Sequence, residues 1–422
     1  MTVRTELIWD GKYDAHGKRV APLRVPLPFQ TVETINETAQ DRQRNLFQAV
    51  AQEQPWRNRL IWGDKKYVLP SLLPEFAGKV NLIYIDPPFD TGADFSFTAT
   101  IPEHDEDDDA LAFTKEPSII EQKAYRDTWG RGLDSYLQWF YETVVVLHEL
   151  LGENGSIYVQ LDWHIGHYAK VILDEVFGIE QFHNHITWKR STPRGNAGKR
   201  YPELTDYILF YTKTSEYCWN DQYGPYRQEY IEQYYRQIDD KTGRRFQPTS
   251  ILGHVGINPV YEWRGLKKPW RYPKHRLEEL DTAGLLYWPE RGEVPRLKRY
   301  LDEQKGMPLQ SLWEDIPPVN SQANEDTGYA TQKPEALLDR IIKASSNESD
   351  LVLDCFCGSG TTAAVAEKLN RRWIACDLGR FAIHTTRKRL LSIPDVRPFV
   401  VQNLGKYERQ LWQTGQFADS RG

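Results

Sequence analysis

The chain has 422 residues, of which 40% are hydrophobic and 27% charged, a composition typical of a globular protein with a buried core. Its net charge of −6 excludes a uniformly basic protein, and no apolar run is long enough to predict a membrane span. The N-terminus lacks the pattern of a signal peptide, and the four cysteines show neither a disulfide framework nor paired metal-ligand spacing. We therefore predict a cytoplasmic protein without a metal site.

The charge is distributed unevenly along the chain. Residues 187–300 contain 21 Lys and Arg against 14 Asp and Glu, an excess of +7, so the rest of the chain carries −13. Such an asymmetry is compatible with a middle segment that faces a polyanion, and equally with a solvated basic surface. Charge alone does not choose between the two.

The first part of the chain predicts an extension followed by two strands. Residues 1–54 are polar with scattered prolines and predict an N-terminal extension with one short helix. Residues 60–64 predict a short strand that ends in Gly-Asp. Residues 80–86 are too continuously apolar for a one-sided sheet and predict a buried parallel strand. Residues 90–124, with an acidic run at their centre, predict a long solvated loop.

From residue 133 onward, strand and helix patterns alternate, which predicts an α/β sheet. Residues 215–325 interrupt this alternation, because they are rich in Tyr, Trp, Arg, Lys, Gly and Pro, and we interpret them as an inserted domain. The predicted strands are 156–162, 186–189, 207–211, 351–354 and 373–377. The predicted helices are 133–151, 165–177, 334–345, 361–370 and 380–391.

The segment after strand 351–354 has the layout of a nucleotide-binding site. Asp354 precedes a Gly-Ser-Gly loop formed by Gly358 to Gly360, and a helix begins at Thr361. Glycines allow a tight turn, and the free N–H groups at a helix start favour an anionic ligand. Asp377 ends the next strand, where an acid often binds ribose hydroxyls. The spacing does not fit the dinucleotide motif, which argues against a nicotinamide or flavin cofactor.

The segment after strand 80–86 predicts a site for a planar amine. A conjugated exocyclic amine is a poor nucleophile, so its methylation requires hydrogen-bond acceptors for its N–H groups. Asp86 offers a carboxylate, the carbonyl of Pro87 offers a second acceptor, and Pro87 and Pro88 fix the backbone. Phe89 offers a flat face for an extruded base. No cysteine follows a proline, which argues against attack on cytosine C5.

Together these segments resemble the DNA amino-methyltransferases, the adenine-N6 and cytosine-N4 enzymes that use S-adenosylmethionine. The amine motif precedes the cofactor motif, which in that family marks the β group of type III modification subunits and solitary methyltransferases. One departure is Cys355, since the family usually has proline after the cofactor-motif aspartate. The segments that carry the resemblance are 60–64, 84–89, 125–129, 155–162, 332–334 and 354–362.

The resemblance implies a doubly wound, Rossmann-like α/β methyltransferase sheet that is circularly permuted and holds an inserted target-recognition domain. It also implies five segments. These are an N-terminal extension (1–54), the catalytic half (55–214), the recognition domain (215–327), the cofactor-binding half (328–395) and a C-terminal tail (396–422).

Roles carried over from the family fall into three groups. The catalytic residues are Asp86, Pro87, Pro88 and Phe89. The S-adenosylmethionine-binding residues are Asp354, Phe356, Gly358, Gly360, Thr361, Asp377, Asp64, Lys333 and Pro334. The candidate DNA contacts, for which an exposed basic loop is nearly as good an interpretation, are Arg264, Lys267, Lys268 and Arg271.

Several alternatives remain open from the sequence. An Asp-first amine motif favours adenine, whereas cytosine N4 needs the same acceptors. An RNA methyltransferase and a non-catalytic DNA-binding subunit are less favoured, the latter because the acid and the glycines are intact. The implied partner is duplex DNA in a bacterial or archaeal nucleoid, with no membrane partner. A homodimer and membership of a restriction or defence system are compatible with the resemblance.

Overall fold

The computed structural model describes residues 5–36, 56–88, 97–100, 112–115, 132–191, 199, 201–320, 322–329 and 331–406. It divides into two compact units. Unit 1 consists of Met1–Asn220 and Gln310–Gly422, and unit 2 is Asp221–Leu309. Phe89, the acidic run and the family block at 125–129 lie outside the described residues.

The elements alternate along the chain much as the sequence predicts. The strands are β1 (Gln30–Ile35), β2 (Asn58–Trp62), β3 (Val80–Ile85), β4 (Phe97–Thr100), β5 (Ala112–Lys115), β6 (Leu151–Leu161), β7 (Phe182–Lys189), β8 (Thr205–Thr212), β9 (Tyr223–Gly224), β10 (Gln237–Ile238), β11 (Arg245–Ser250), β12 (Val260–Trp263), β13 (Leu266–Pro269), β14 (Leu286–Tyr287), β15 (Arg296–Tyr300), β16 (Met307–Pro308), β17 (Leu312–Trp313), β18 (Leu351–Asp354), β19 (Arg372–Asp377) and β20 (Phe399–Asn403). The α-helices are α1 (Lys65–Phe76), α2 (Leu133–Leu150), α3 (Gly166–Phe177), α4 (Gln228–Tyr234), α5 (Lys274–Thr282), α6 (Glu335–Ser345), α7 (Thr361–Lys368) and α8 (Arg380–Leu391).

Unit 1 is built on one ten-stranded sheet in the order β1-β20-β2-β19-β18-β3-β6-β8-β7-β17. The six strands from β20 to β6 are mutually parallel, and β8 runs antiparallel to β6 and β7. The two halves of the chain therefore interleave, since β18 and β19, from late in the sequence, lie between β2 and β3.

Helices cover both faces of this sheet because the central strands are apolar on both sides. In β3, Ile83 and Ile85 belong to the core formed with α1, α2 and α3. The alternate residues Leu82 and Tyr84 belong to a second core formed with α6, α7 and α8. Unit 1 is thus a three-layered α/β/α structure, the doubly wound class that the sequence predicts.

The strands missed by the sequence analysis include β4 and β5, which pair antiparallel within residues 90–124, where a loop was predicted. They also include β1 and β20 of the unit 1 sheet. β1 lies within the segment interpreted as an extension, and β20 within the segment interpreted as a tail. β20 pairs in parallel with β2, and β1 pairs antiparallel with β20. Local pattern is weak here, because β1 is mostly exposed and β20 is only five residues long.

Unit 2 has its own small core. Its elements are a four-stranded sheet (β10-β11-β15-β14), the hairpin β12–β13, the pair β9–β16, and helices α4 and α5. The buried core residues are Ile251, Trp263, Trp270, Leu277, Leu280 and Leu286. Unit 2 contains fewer residues than the predicted insert, because β17 (Leu312–Trp313) pairs with β7 in the sheet of unit 1. Within the described residues, no helix is long and apolar enough to cross a membrane.

Candidate active site

The two sequence motifs meet at one edge of the unit 1 sheet. β3 and β18 are adjacent and parallel, with Leu353 opposite Ile83. Asp354 is the last residue of β18, and Asp86 directly follows β3. The carboxyl ends of parallel strands lie at the same sheet edge, where α/β proteins bind ligands. The amine motif and the cofactor motif therefore begin side by side at the same sheet edge.

Asp86 has two differently placed carboxylate oxygens. Oδ2 forms an ion pair with Lys333, and both side chains are mostly buried, at 19% and 14% exposed. Oδ1 is buried and has no hydrogen-bond partner among the described residues. Pro87 is buried and Pro88 half-buried. A buried acceptor without a donor is costly, so Oδ1 is suited to accept an N–H from a ligand.

Asp354 is buried and fully engaged within the protein. Its Oδ1 accepts a hydrogen bond from the Phe356 backbone N–H at 2.9 Å, and its Oδ2 accepts one from Thr362 Oγ1 at 2.6 Å. The pKa of Asp354 is raised to about 7, chiefly by burial. The two hydrogen bonds oppose this rise, and the nearby charges of Asp377 and Asp86 add to it. Asp354 therefore fixes the start of the glycine loop.

The glycine loop follows a course that only glycine tolerates well. Gly358 and Gly360 have φ values of 49° and 75°, and Gly360 caps α7 in the left-handed conformation. A Cβ at Gly360 would lie 2.5 Å from Thr386 Cγ2. Asp377 Oδ2 accepts the Gly358 N–H at 2.9 Å. The loop thus brings the start of α7 close to the carboxylate that ends β19.

Several predicted cofactor residues shape the loop by internal contacts. The Thr361 hydroxyl donates to the Lys333 carbonyl at 3.0 Å, and Arg389 donates to Thr361 Oγ1 at 2.9 Å. Arg389 also pairs with Glu335 at 2.9 Å. Pro334 precedes α6 as its N-cap residue. These contacts tie Lys333 to the glycine loop and direct its ammonium group to Asp86.

Asp64 lies at the end of the neighbouring strand. It caps α1, and its Oδ1 accepts the Lys66 N–H at 2.9 Å. The Gly63 N–H donates to the Asp377 carbonyl at 3.1 Å, so the Gly-Asp turn adjoins the end of β19. Phe356 contacts Trp139 of α2, with ring centroids 5.5 Å apart. Asp64, Asp354, Phe356 and Asp377 therefore surround one sheet edge.

Sequence reasoning missed a buried polar chain beside Asp86. Tyr84 donates to Gln160 Oε1 at 2.6 Å, and Gln160 donates to Asp206 Oδ2 at 2.9 Å. Burial raises the pKa of Asp206, while Lys333 and Arg190 lower it. The available signal was the presence of Gln160 and Asp206 in otherwise apolar strands. The buried residue Lys65 was missed as well.

The predicted DNA contacts lie in and after the hairpin β12–β13 of unit 2. Arg264 and Gly265 form its two-residue turn, with φ values of 50° and 76°. The guanidinium of Arg264 pairs with Asp281. Lys267 and Lys268 are exposed, as is Arg271, and none of these three forms an ion pair among the described residues. Arg264 is thus already neutralised within unit 2, unlike the other three.

A match to a family model identifies the class of protein to which this chain belongs. A family model described as DNA methylase (N6_N4_Mtase) matches residues 80–388. The chain belongs to this DNA methylase family, whose methyl donor is S-adenosylmethionine.

In the part of the chain that the structure describes, no three His, Cys, Asp or Glu side chains are grouped to hold a metal ion.

Individual proteins are also similar to this chain. The Type II methyltransferase M.EcaI from Enterobacter cloacae is 34% identical over 79% of this chain and 69% of its own length. The StyLTI Mod subunit, a type III restriction-modification protein of Salmonella typhimurium, is 27% identical over 80% of this chain and 55% of its own. The protein in the crystal structure of the M1.HpyAVI–SAM complex has 17% sequence identity to this chain, with a TM-score of 0.40. The match covers 79% of this chain and 100% of that one. The chain therefore spans little more than half of its type III relative.

Proposed function

We propose that this chain is a site-specific adenine-N6 DNA methyltransferase that acts on an adenine flipped out of duplex DNA. The observation that carries the proposal is Asp86. One of its oxygens is held by Lys333, and the other is buried without a partner among the described residues. An exocyclic amine has N–H groups to donate, and Asp86 follows the strand adjacent to β18, whose last residue, Asp354, begins the cofactor motif.

The residues present fit S-adenosylmethionine. The glycine loop leaves no space for a Cβ at Gly360, and it places the N-terminus of α7 beside Asp377. On this proposal Asp354, Phe356 and Gly358 line the methionine end, Asp377 binds the ribose and Asp64 lies near the adenine ring. The cofactor supplies an electrophilic methyl group on a sulfonium sulfur.

The contribution of the chain is mainly positioning. Asp86 Oδ1 accepts one N–H of the target amine, and the Pro87 carbonyl accepts the other. This pair of acceptors holds the amine and makes its lone pair available. Phe89 stacks on the flipped base. No side chain in this scheme would form a covalent bond to the base. The bound cofactor would supply its methyl group to the amine and leave as S-adenosylhomocysteine, and the amine would release one proton.

We further propose that the circular permutation explains the interleaved strand order, and that unit 2 recognises the DNA target. The exposed cations Lys267, Lys268 and Arg271 support DNA binding by unit 2, since phosphate contacts come chiefly from unpaired Lys and Arg. A role in restriction-modification belongs to the same proposal and is supported by the name of the type III relative. A homodimer also belongs to it, as what the family resemblance implies.

Product analysis tests the proposed function. Unmethylated plasmid DNA and a matched RNA transcript are incubated with tritiated S-adenosylmethionine, digested to nucleosides and separated. We expect labelled N6-methyldeoxyadenosine from DNA only. Labelled N4-methyldeoxycytidine would overturn the adenine assignment, and label in RNA alone would overturn the DNA assignment. Cofactor binding without transfer to either polymer would indicate a non-catalytic subunit. Sequencing of the modified DNA then gives the target site.

A further inference from the structure

Lys65 is a buried cation without an anionic partner. It is the first residue of α1, and it is only 7% exposed. Among the described residues it forms no ion pair and no side-chain hydrogen bond. Its ammonium group lies over the ring of Trp139, 4.0 Å from the centroid. A buried charge is costly unless it is paired, so this arrangement favours an anionic ligand.

The electrostatic surroundings of Lys65 do not neutralise it. Burial lowers its pKa to about 8, Asp64, Cys355 and Glu142 oppose this change, and Lys66 adds to it. Asp64 is engaged as the cap of α1, and Glu142 accepts a hydrogen bond from Gln138 at 2.7 Å. Lys65 is therefore still mostly protonated near neutral pH, and none of these groups is its ion-pair partner.

The position of Lys65 indicates which anion it would bind. Trp139, which carries the ammonium on its face, also contacts Phe356 of the glycine loop, with centroids 5.5 Å apart. Cys355 of the same loop is near enough to affect the pKa of Lys65. The ammonium group therefore lies beside the loop that, on the proposed function, receives the amino-acid end of the cofactor.

We propose that Lys65 binds the α-carboxylate of S-adenosylmethionine and so selects cofactors that carry this group. This inference rests on the proposed function and names a cofactor-binding residue outside the sequence motifs. The carboxylate is the only anionic group of S-adenosylmethionine, and it would give Lys65 the partner that the described residues do not provide.

Comparison with decarboxylated S-adenosylmethionine measures the contribution of the carboxylate to binding, because this ligand lacks only that group. It retains the sulfonium, the amine and the nucleoside. Calorimetry gives the Kd of both ligands for the wild type, for Lys65→Met and for the control Lys66→Met, whose lysine is half-buried on the same helix turn. We expect Lys65→Met to bind S-adenosylmethionine about 10 to 100 times more weakly, the range for a charged hydrogen bond. The affinity of Lys65→Met for the decarboxylated ligand should stay within about threefold of the wild-type value. Lys66→Met should bind both ligands as tightly as the wild type does.

Other outcomes separate failure of this inference from failure of the proposed function. Equal losses for both ligands in Lys65→Met, at an unchanged melting temperature, would assign Lys65 a structural role and overturn the inference. Unchanged affinities would overturn it too. A wild type that binds neither ligand would overturn the proposed function itself. As a further check, the preference of the wild type for S-adenosylmethionine should decline as pH rises above about 8, and Lys65→Met should show no such decline.

Discussion

Lys333 forms an ion pair with Asp86 although 247 positions separate them in the sequence. Asp86 directly follows strand β3, at the start of the amine motif, and Lys333 precedes helix α6 of the cofactor-binding half. The pair therefore couples the two chain segments at the site. It also leaves Asp86 Oδ1 as the only carboxylate oxygen of this residue without a partner within the described residues.

The Lys333–Asp86 pair gives a prediction about stability. Lys333→Met and Asp86→Asn should each lower the free energy of unfolding by about 1–2 kcal/mol, because each leaves a mostly buried group without its partner. The double variant should lose less than the sum of the two. Urea denaturation of the four proteins measures this coupling, and strict additivity would show that the pair contributes nothing.

Asp86 gives a prediction about catalysis. Asp86→Asn should lower the methyl-transfer rate by at least about 100-fold, because the amide replaces part of the acceptor that holds the amine. Cofactor affinity should change less than about threefold. Tritium incorporation and calorimetry measure the two quantities separately. The control is Asp339→Asn on the surface of α6, where Asp339 accepts a hydrogen bond from Lys343. Near wild-type transfer by Asp86→Asn would contradict the assigned role.

Asp354 gives a prediction about pH. Burial raises its pKa to about 7 from 3.8, so the folded protein holds a proton that the unfolded chain releases between these values. The resulting stabilisation is complete below about pH 4 and is lost as the pH rises through 7. Asp354→Asn cannot ionise, so its stability relative to the wild type should rise by about 1–3 kcal/mol between pH 5 and 8. A pH-independent difference in urea denaturation would contradict this.

Gly360 gives a prediction about the cofactor loop. Gly360→Ala should be more destabilising than Gly78→Ala, although both glycines have positive φ values of 75° and 68°. An added Cβ meets Thr386 at Gly360, whereas it meets nothing within 4 Å at Gly78. We expect a loss of about 1 kcal/mol at Gly78 and about 3 kcal/mol at Gly360. Equal losses would mean that the Thr386 contact has no steric effect.

Unit 2 gives a prediction about DNA affinity. The double variant Lys267→Gln/Lys268→Gln should bind duplex DNA more weakly, and the slope of log K against log salt should become shallower by about 2. Fluorescence anisotropy at several salt concentrations measures the slope. Arg276→Gln is the matched control, because Arg276 is paired with Glu279 at 2.7 Å and is a poorer phosphate contact. An unchanged slope in the double variant would place the DNA contacts elsewhere.

From the sequence, the strands that carry the two motifs could be expected to meet, whereas the outer strands of the sheet were not predicted. The ends of β3 and β18 could be predicted to meet, because parallel strands in this class share one carboxyl edge. β1 and β20 were not predicted, since their pairing is non-local and their patterns are short. Lys65 was overlooked because a lysine at a helix start normally lies in solvent, and only the packing of Trp139 shows that it is buried.

The interleaved strand order has a consequence for biosynthesis. β3 is complete when residue 85 has been synthesised, but its partner β18 follows only at residue 351, and β20 at residue 399. Until then the apolar edge of β3 lacks a neighbour on that side, and such edges favour aggregation. Chains that pause on the ribosome before residue 351 should therefore depend on chaperones, whereas pauses after residue 403 should be harmless to this sheet.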